Sequence, residues 1–173
     1  MVKLENIERK NAGTMNRPIA ALIAGTIGIA VNTALLKAAA PLGIEAESGG
    51  LLRLMTRSLA PLMNQTGISE TWVRVGLPAP NSLVFWLGFH LATGLGMALL
   101  YAYVFEPLLP GNGLLKGSLF ALVPWLINGF VVLPLLGQGI IGFRALTLSG
   151  IIYFFVANWS FTATLGVLYE RWK

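Results

Sequence analysis

Residues 83–105 read LVFWLGFHLATGLGMALLYAYVF, a stretch in which His90 is the only side chain that ionises near neutral pH. A helix rises about 1.5 Å per residue, so roughly 20 apolar residues cross the hydrocarbon core of a bilayer, which is about 30 Å thick. Three similarly long stretches, residues 19–40, 114–136 and 145–168, also lack acidic residues. The sequence therefore predicts four transmembrane helices.

The composition places the whole chain in the membrane class. Of its 173 residues, 55% are hydrophobic and only 11% are charged, whereas soluble domains carry about 25% charged residues. Apart from the four spans, only the connection at residues 41–82 is long enough to hold further structure. We therefore expect an all-α fold in a single integral domain, residues 1–173, arranged as a four-helix transmembrane bundle.

Few groups that could carry out catalysis are present. The chain has no cysteine, and all seven acidic residues are glutamates, which excludes disulfides, thiolate metal sites and aspartate-based catalysis. It also lacks a glycine-rich phosphate loop and an HExxH sequence. The net charge of +5 is spread over several loops rather than gathered into a basic stripe, which argues against nucleic acid as a partner. We expect neither an enzyme nor a bound cofactor.

The distribution of positive charge predicts the orientation. If the N-terminus is cytoplasmic, seven Lys and Arg residues share the cytoplasmic face and five lie on the other face, as the positive-inside rule requires. The cytoplasmic seven are Lys3, Arg9, Lys10, Arg17, Lys116, Arg171 and Lys173, and the other five are Lys37, Arg53, Arg57, Arg74 and Arg144. The first apolar run has 22 residues, longer than the about 7–15 of a signal peptide, so we expect a retained anchor. The expected location is a bacterial inner membrane, with both termini cytoplasmic.

The long connection contains a predicted amphipathic helix, about residues 51–63. Its leucines and methionines fall within one half of a helical wheel, while Arg53 and Arg57 lie four apart on the other half. Such a helix can lie on the outer membrane surface, with its leucines at the headgroup boundary and its arginines near lipid phosphates. Alternatively, its apolar face packs on the transmembrane helices or on a neighbouring subunit.

Each predicted span contributes one strongly polar side chain at a similar depth. His90 lies about 10 Å below the outer end of its span at the standard helical rise. Asn32 and Asn128 reach nearly the same level, and Asn158 lies slightly deeper. An unpaired polar group in hydrocarbon is costly, so these four side chains should face inward. They could be packing contacts between helices, a polar pocket or pathway for a small solute or proton, or, through His90, a ligand to haem or a chlorophyll-type pigment.

Small residues four apart predict surfaces where helices approach closely. Ala20, Ala24 and Gly28 form one such groove, and a second groove consists of Gly88, Ala92 and Gly96. Either groove could face the other helices of the chain or a helix of another protein.

Two residues have special positions in or beside the spans. Pro124 should kink the third span, because its ring removes a backbone hydrogen bond and clashes with the preceding turn. Glu106 directly follows the second span and precedes Pro107, so we expect it to be a solvated helix end.

The layout resembles small bacterial inner-membrane proteins grouped as families of unknown function. It shares with them four spans, a long outer loop after the first span, and a third span rich in glycine and proline. The resemblance covers about residues 19–169 and implies location and fold, with no site residue to carry over.

These observations leave three functions open. The leading expectation is a non-catalytic accessory or stabilising subunit that packs against a larger respiratory or photosynthetic membrane complex. One alternative is a transporter or channel for a small solute or protons that uses the polar layer around His90, and the other is a haem or pigment protein. Expected partners are membrane lipids and either other membrane subunits or further copies of the chain.

Overall fold

A computed structural model of the protein describes residues 15–173, which form helices and no strand. Four helices are long and apolar enough to cross a membrane, as the sequence predicts. Lys3, Arg9 and Lys10 of the predicted cytoplasmic charges lie outside the described residues.

The four long helices, here α1, α4, α5 and α6, have bounds close to the predicted ones. Helix α1 covers Arg17–Ala39, with a 3-10 turn at Ala40–Leu42. Helix α4 covers Leu83–Phe105, of which Tyr101–Phe105 is π-helical. Helix α5 covers Gly113–Leu135, and α6 covers Leu148–Trp172. Helix α6 begins later than predicted, because the Thr147 side chain caps it by accepting a hydrogen bond from Gly150 N at 3.2 Å, and it also ends later, at Trp172.

Two shorter helices occupy the long connection. Helix α2, Gly50–Gln65, contains the predicted residues 51–63, and α3, Ile68–Arg74, was not predicted. The side chains of α2 differ in burial along the helix. Leu52 in its first turn is buried, whereas Leu59 and Leu62 further along are exposed.

The spanning helices alternate in direction, so the described chain has two distinct ends. Met15 N donates to Trp172 O at 2.7 Å, which places the start of α1 beside the end of α6; we call this the terminal end. Tyr153 Oη donates to Leu35 O at 2.7 Å near the opposite end, which also carries α2 and α3; we call this the loop end.

Helix α1 packs between α6 and α4 through small residues. The predicted groove Ala20, Ala24 and Gly28 is buried, and a Cβ on Gly28 would lie 2.8 Å from the carbonyl oxygen of Phe161 on α6. A second stripe faces α4, where a Cβ on Gly25 would lie 2.5 Å from the Cβ of Ala98. Close backbone approach of this kind is how membrane helices gain packing energy without a hydrophobic driving force.

The second predicted groove does not pack inside the described chain. Gly88, Ala92 and Gly96 are exposed, and a Cβ on either glycine would meet nothing within 4 Å. Helix α4 instead packs through a different four-residue stripe, in which Gly94, Ala98 and Ala102 are buried. Both stripes have the same spacing, so only the positions of α1 and α5 decide which one is used.

Helix α5 is held against α6 by glycines and is interrupted in its middle. Cβ atoms on Gly113 and Gly117 would overlap carbonyl oxygens of α6. The α-helix stops at Phe120 and resumes at Leu122, and a π-helical turn follows at Asn128–Val132. The interruption lies one turn before Pro124, where the proline ring meets the preceding backbone.

A matched pair of substitutions tests the α5–α6 contact. Gly117→Ala should lower the free energy of unfolding by about 1–3 kcal/mol, because the added methyl group overlaps the backbone of Thr162. Gly96→Ala adds the same methyl group in open space and should raise the free energy of unfolding by up to about 1 kcal/mol, because alanine loses less backbone entropy than glycine in a helix. Unfolding in mixed micelles titrated with dodecyl sulfate measures both. Equal stabilities would contradict the close approach.

Candidate functional site

A cavity of about 110 Å³ lies in the loop-end half of the described helices. Asn32, His90, Asn128 and Asn158, the four predicted polar residues, all line it. The other lining residues are Ile29, Leu36, Ser48, Gly49, Gly50, Leu51, Leu52, Trp86, Phe89, Thr93, Gly94, Met97, Pro124, Phe154 and Phe161. The four spanning helices thus each contribute one polar side chain to one cavity, and the first turn of α2 completes the wall.

His90 and Asn32 are joined by a hydrogen bond. His90 Nε2 lies 3.0 Å from Asn32 Oδ1, and Asn32 Nδ2 donates to the carbonyl oxygen of Ala157 on α6 at 2.8 Å. Because the amide oxygen only accepts, Nε2 carries the proton in this arrangement. Through these two hydrogen bonds the pair links α1, which carries Asn32, to α4, which carries His90, and to α6.

Asn128 and Asn158 use their amides differently. Asn128 Nδ2 donates to the carbonyl of Pro124 and Asn158 Nδ2 to that of Phe154, each at 2.8 Å and one turn earlier on the same helix. Neither amide oxygen accepts a hydrogen bond from another described residue. The amides therefore do not join α5 to α6, which weakens the interpretation that they only bind helices together. The amide oxygens of Asn128 and Asn158 are therefore two hydrogen-bond acceptors, without a partner among the described residues, on side chains that line the cavity.

Trp86 separates the cavity from a larger vestibule at the loop end. Its ring stacks on His90, with centroids 5.0 Å apart and planes inclined by 11°. The vestibule, of about 360 Å³, shares Ser48, Gly49, Leu52 and Trp86 with the cavity. Gly49 has a φ of +72°, and a Cβ there would lie 2.8 Å from Trp86 Nε1. Only glycine suits this position, both for its backbone conformation and for its contact with the indole ring.

A polar cluster holds the first turn of α2 over the cavity. Arg53 Nη2 lies 2.5 Å from Oε1 of the buried Glu47. With the Gln138 amide oriented to satisfy both partners, its nitrogen donates to Glu47 Oε2 and its oxygen accepts from Arg53 Nη2, each at 3.2 Å. Arg53 is therefore engaged by the protein, while half of its side chain is exposed, and its contact with lipid phosphates stays a prediction. Arg57 is exposed.

The terminal half of the described helices is closed. Met97 and Phe161 are the lining residues nearest that end, and beyond them the core is fully buried. Tyr101 contacts Phe120 and Tyr169, with ring centroids 5.3 and 5.8 Å apart. Because these aromatic rings fill the space between the helices, the cavity opens toward the loop end and does not continue to the terminal end.

Glu106 has a role that the sequence reasoning missed. It was expected to be a solvated helix end, but it is only 6% exposed and pairs with a cation from each of the other three spanning segments. Lys116 Nζ lies 2.7 Å from Oε1, Arg17 Nη2 lies 3.6 Å from Oε2, and Lys173 pairs with Oε1. The missed signal was that the positive-inside assignment already places these three cations at the same end as Glu106.

The geometry gives no support to the haem and pigment interpretation. The cavity is smaller than the roughly 300–1,000 Å³ of pockets that hold drug-sized ligands. A tetrapyrrole is larger than a drug-sized ligand and would need more space. One face of the His90 ring is covered by Trp86, and Nε2 is bonded to Asn32. Residues 15–173 contain no group of three His, Cys, Asp or Glu side chains that could hold a metal ion. That the protein binds no cofactor stays a prediction.

A comparison with protein-family models, curated proteins and solved structures found no match to this chain.

The Glu106 cluster predicts acid sensitivity. Burial alone would raise the pKa of Glu106, but hydrogen bonds from Lys116 and Lys173 and their charges outweigh burial, so its pKa lies below the ordinary 4.5. A carboxylate with a lowered pKa stabilises the fold above its unfolded pKa and loses that contribution as the pH falls through the folded value. Glu106→Gln should lower the free energy of unfolding at pH 7 by about 1.5–3 kcal/mol.

As the pH falls below 4.5 and through the lowered pKa of folded Glu106, the difference between Glu106→Gln and the wild type should shrink, because the wild type progressively loses the stabilisation that its carboxylate provides. Glu70→Gln, at an exposed position of α3, is the control, and its free energy of unfolding should match that of the wild type at pH 7 and at pH 3. A difference for Glu106→Gln that stays constant from pH 7 to pH 3 would contradict the ionic role.

Proposed function

We propose that this protein is a non-catalytic, multi-pass membrane protein that binds a small uncharged polar ligand in the cavity around His90. The observation that carries the proposal is the convergence of Asn32, His90, Asn128 and Asn158, one from each spanning helix, on a single cavity. Polar side chains at this depth are expensive and commonly mark binding sites or pathways in membrane proteins.

The charge of the wall supports an uncharged ligand. None of the lining residues is Lys, Arg, Asp or Glu, and an ion moved from water into such a site would lose its hydration without gaining a counter-charge. The closed terminal half favours binding over conduction, because a channel or a proton path must reach both faces. The proposal keeps one element of the transporter alternative, the polar site around His90, but does not include transport across the membrane.

We also propose that the protein lies in a bacterial inner membrane with both termini cytoplasmic, so that the cavity opens outward. The support is the positive-inside count, to which Arg17, Lys116, Arg171 and Lys173 contribute among the described residues. In this orientation α2 lies at the outer interface. Its exposed Met55, Leu59 and Leu62 would contact the acyl boundary, and Arg57 would reach lipid phosphates.

The absence of cysteine allows a direct test of ligand access. Single cysteines at Ser48 and Asn128 line the cavity, and a cysteine at Leu126 is a matched control on the exposed surface of α5. Methyl methanethiosulfonate, a small neutral reagent, should modify the cavity thiols at least about tenfold faster than the control, because the thiolate that reacts forms in a polar site and not in hydrocarbon.

Modification of the vesicle-reconstituted variants is followed by the mass of the intact protein. Equal rates at Asn128→Cys and Leu126→Cys would contradict a cavity that admits polar solutes. Retained thermal stability of each variant confirms that the rates report on the folded protein.

A second candidate function is that of an accessory subunit, and the exposed stripe Gly88, Ala92 and Gly96 favours it. Small residues on a surface that faces the bilayer allow a helix of another subunit to approach closely. We propose that the stripe receives a transmembrane helix of a larger complex.

Gly96→Leu fills the stripe and should remove at least about nine tenths of a copurifying subunit, a loss of about 1.4 kcal/mol or more in association. Val131→Leu, on the exposed surface of α5, is the control and should retain the partner. Native mass spectrometry after mild solubilisation measures both. A monodisperse protein without a copurifying subunit would contradict this function, and a dimer sensitive to Gly96→Leu would replace the partner by a second copy.

A further inference from the structure

A second opening reaches His90 from the side of the protein. It is a groove of about 430 Å³ between α1 and α4, and its lining residues are Thr26, Ile29, Ala30, Thr33 and Ala34 of α1 and Leu87, His90 and Leu91 of α4. Thr26 and Thr33 donate their hydroxyl hydrogens to the carbonyls of Leu22 and Ile29, at 2.8 and 2.7 Å. The hydroxyls are therefore satisfied within α1, and His90 is the one remaining polar side chain in the lining of the groove.

The groove and the cavity adjoin, because Ile29 and His90 line both of them. The cavity alone is too small for a drug-sized molecule, whereas the groove falls within the usual range for a ligand pocket. The two together form a site with a small polar part and a longer apolar part.

We infer that the ligand is a neutral single-chain amphiphile whose hydroxyl head lies in the cavity and whose aliphatic chain lies in the α1–α4 groove. The inference rests on the proposed function, and it names the chemical class of the ligand.

The hydrogen-bonding groups of the cavity select a hydroxyl head. The amide oxygens of Asn128 and Asn158 offer acceptors to its hydrogen. The N–H groups of Gly50, Leu51 and Leu52 in the first turn of α2 precede the first intrahelical bond, and no side chain caps this turn, so they can donate to its oxygen. A hydroxyl both donates and accepts, and it carries no charge that the wall would leave unpaired.

The position of the groove favours a ligand with an aliphatic chain. Its lining faces outward between two spanning helices, at the depth where acyl chains surround the protein. Ala30 and Ala34 leave room for the chain, and Leu87 and Leu91 provide apolar contacts. A molecule already dissolved in the bilayer can therefore enter sideways, without passing through the aqueous vestibule.

Photolabelling of the full chain in phosphatidylcholine vesicles tests the inference. The probe is hexadecan-1-ol with a diazirine in the middle of its chain, and unlabelled hexadecan-1-ol is the competitor. Labelling should be saturable and competed, with adducts in the peptides that contain residues 26–34 and 87–91. The half-saturating mole fraction of the probe in the bilayer measures its affinity.

Three variants divide the site into its parts. Ala30→Phe fills the groove and Asn128→Leu removes an acceptor from the cavity, and each should raise the half-saturating mole fraction at least about tenfold. Val131→Phe places the same ring on an exposed position of α5 outside the groove, so its value should stay within about twofold of the wild type. Ala34→Phe replaces Ala30→Phe if the latter fails to fold.

Labelling that does not saturate, or equal affinities in Ala30→Phe and Val131→Phe, would overturn the inference. The cysteine reactions at Ser48 and Asn128 separate this failure from that of the proposed function. If those thiols react rapidly but the alcohol does not bind saturably, the ligand is a small polar solute and the amphiphile inference alone fails. If the thiols are also unreactive, both fail.

Discussion

The terminal end of the structure depends on one buried carboxylate. Glu106, at the end of α4, receives a cation from each of the other three spanning segments, through Arg17, Lys116 and Lys173. A carboxylate at this depth is tolerated only with such partners, because burial of an unpaired charge costs several kcal/mol. This ionic contact therefore requires the ends of all four segments to meet. Close glycine contacts, as between Gly117 and α6, extend the packing into the adjacent part of the helices.

The loop-end half contrasts with this closed half, and the contrast supports the proposed function. Where the terminal half is filled by Tyr101, Phe120 and Tyr169, the loop-end half encloses a cavity with polar walls. Trp86 lines both the cavity and the vestibule, and His90 lines both the cavity and the α1–α4 groove. A site that is open on one side of a packed core suits a ligand that binds and leaves by the same half of the membrane.

The sequence predicted much of this site but not the way in which its residues are used. The number of residues from the outer end of each span was enough to place four polar side chains at a similar depth, because helix rise is constant and polar groups avoid lipid. These side chains are Asn32, His90, Asn128 and Asn158. The sequence could not show that Asn32 bonds to His90 while Asn128 and Asn158 bond to their own helices. Nor could it show that Arg53 pairs with Glu47, since amphipathic patterning does not show which loop residues lie opposite a helix.

By itself, the sequence determined the four spanning helices, their approximate bounds and the depth of the polar layer. These features follow from local properties, namely hydropathy, helix rise and the caps and prolines near each end. Only the tertiary structure decided that α4 packs through Gly94 and Ala98 rather than through Gly88 and Gly96, and that Glu106 is buried among cations. Stripes of small residues with the same spacing cannot be told apart in the sequence, and which neighbouring helix each stripe contacts is set by rotation about the helix axes. That rotation depends on the sum of all interhelical contacts, which no single segment of sequence contains.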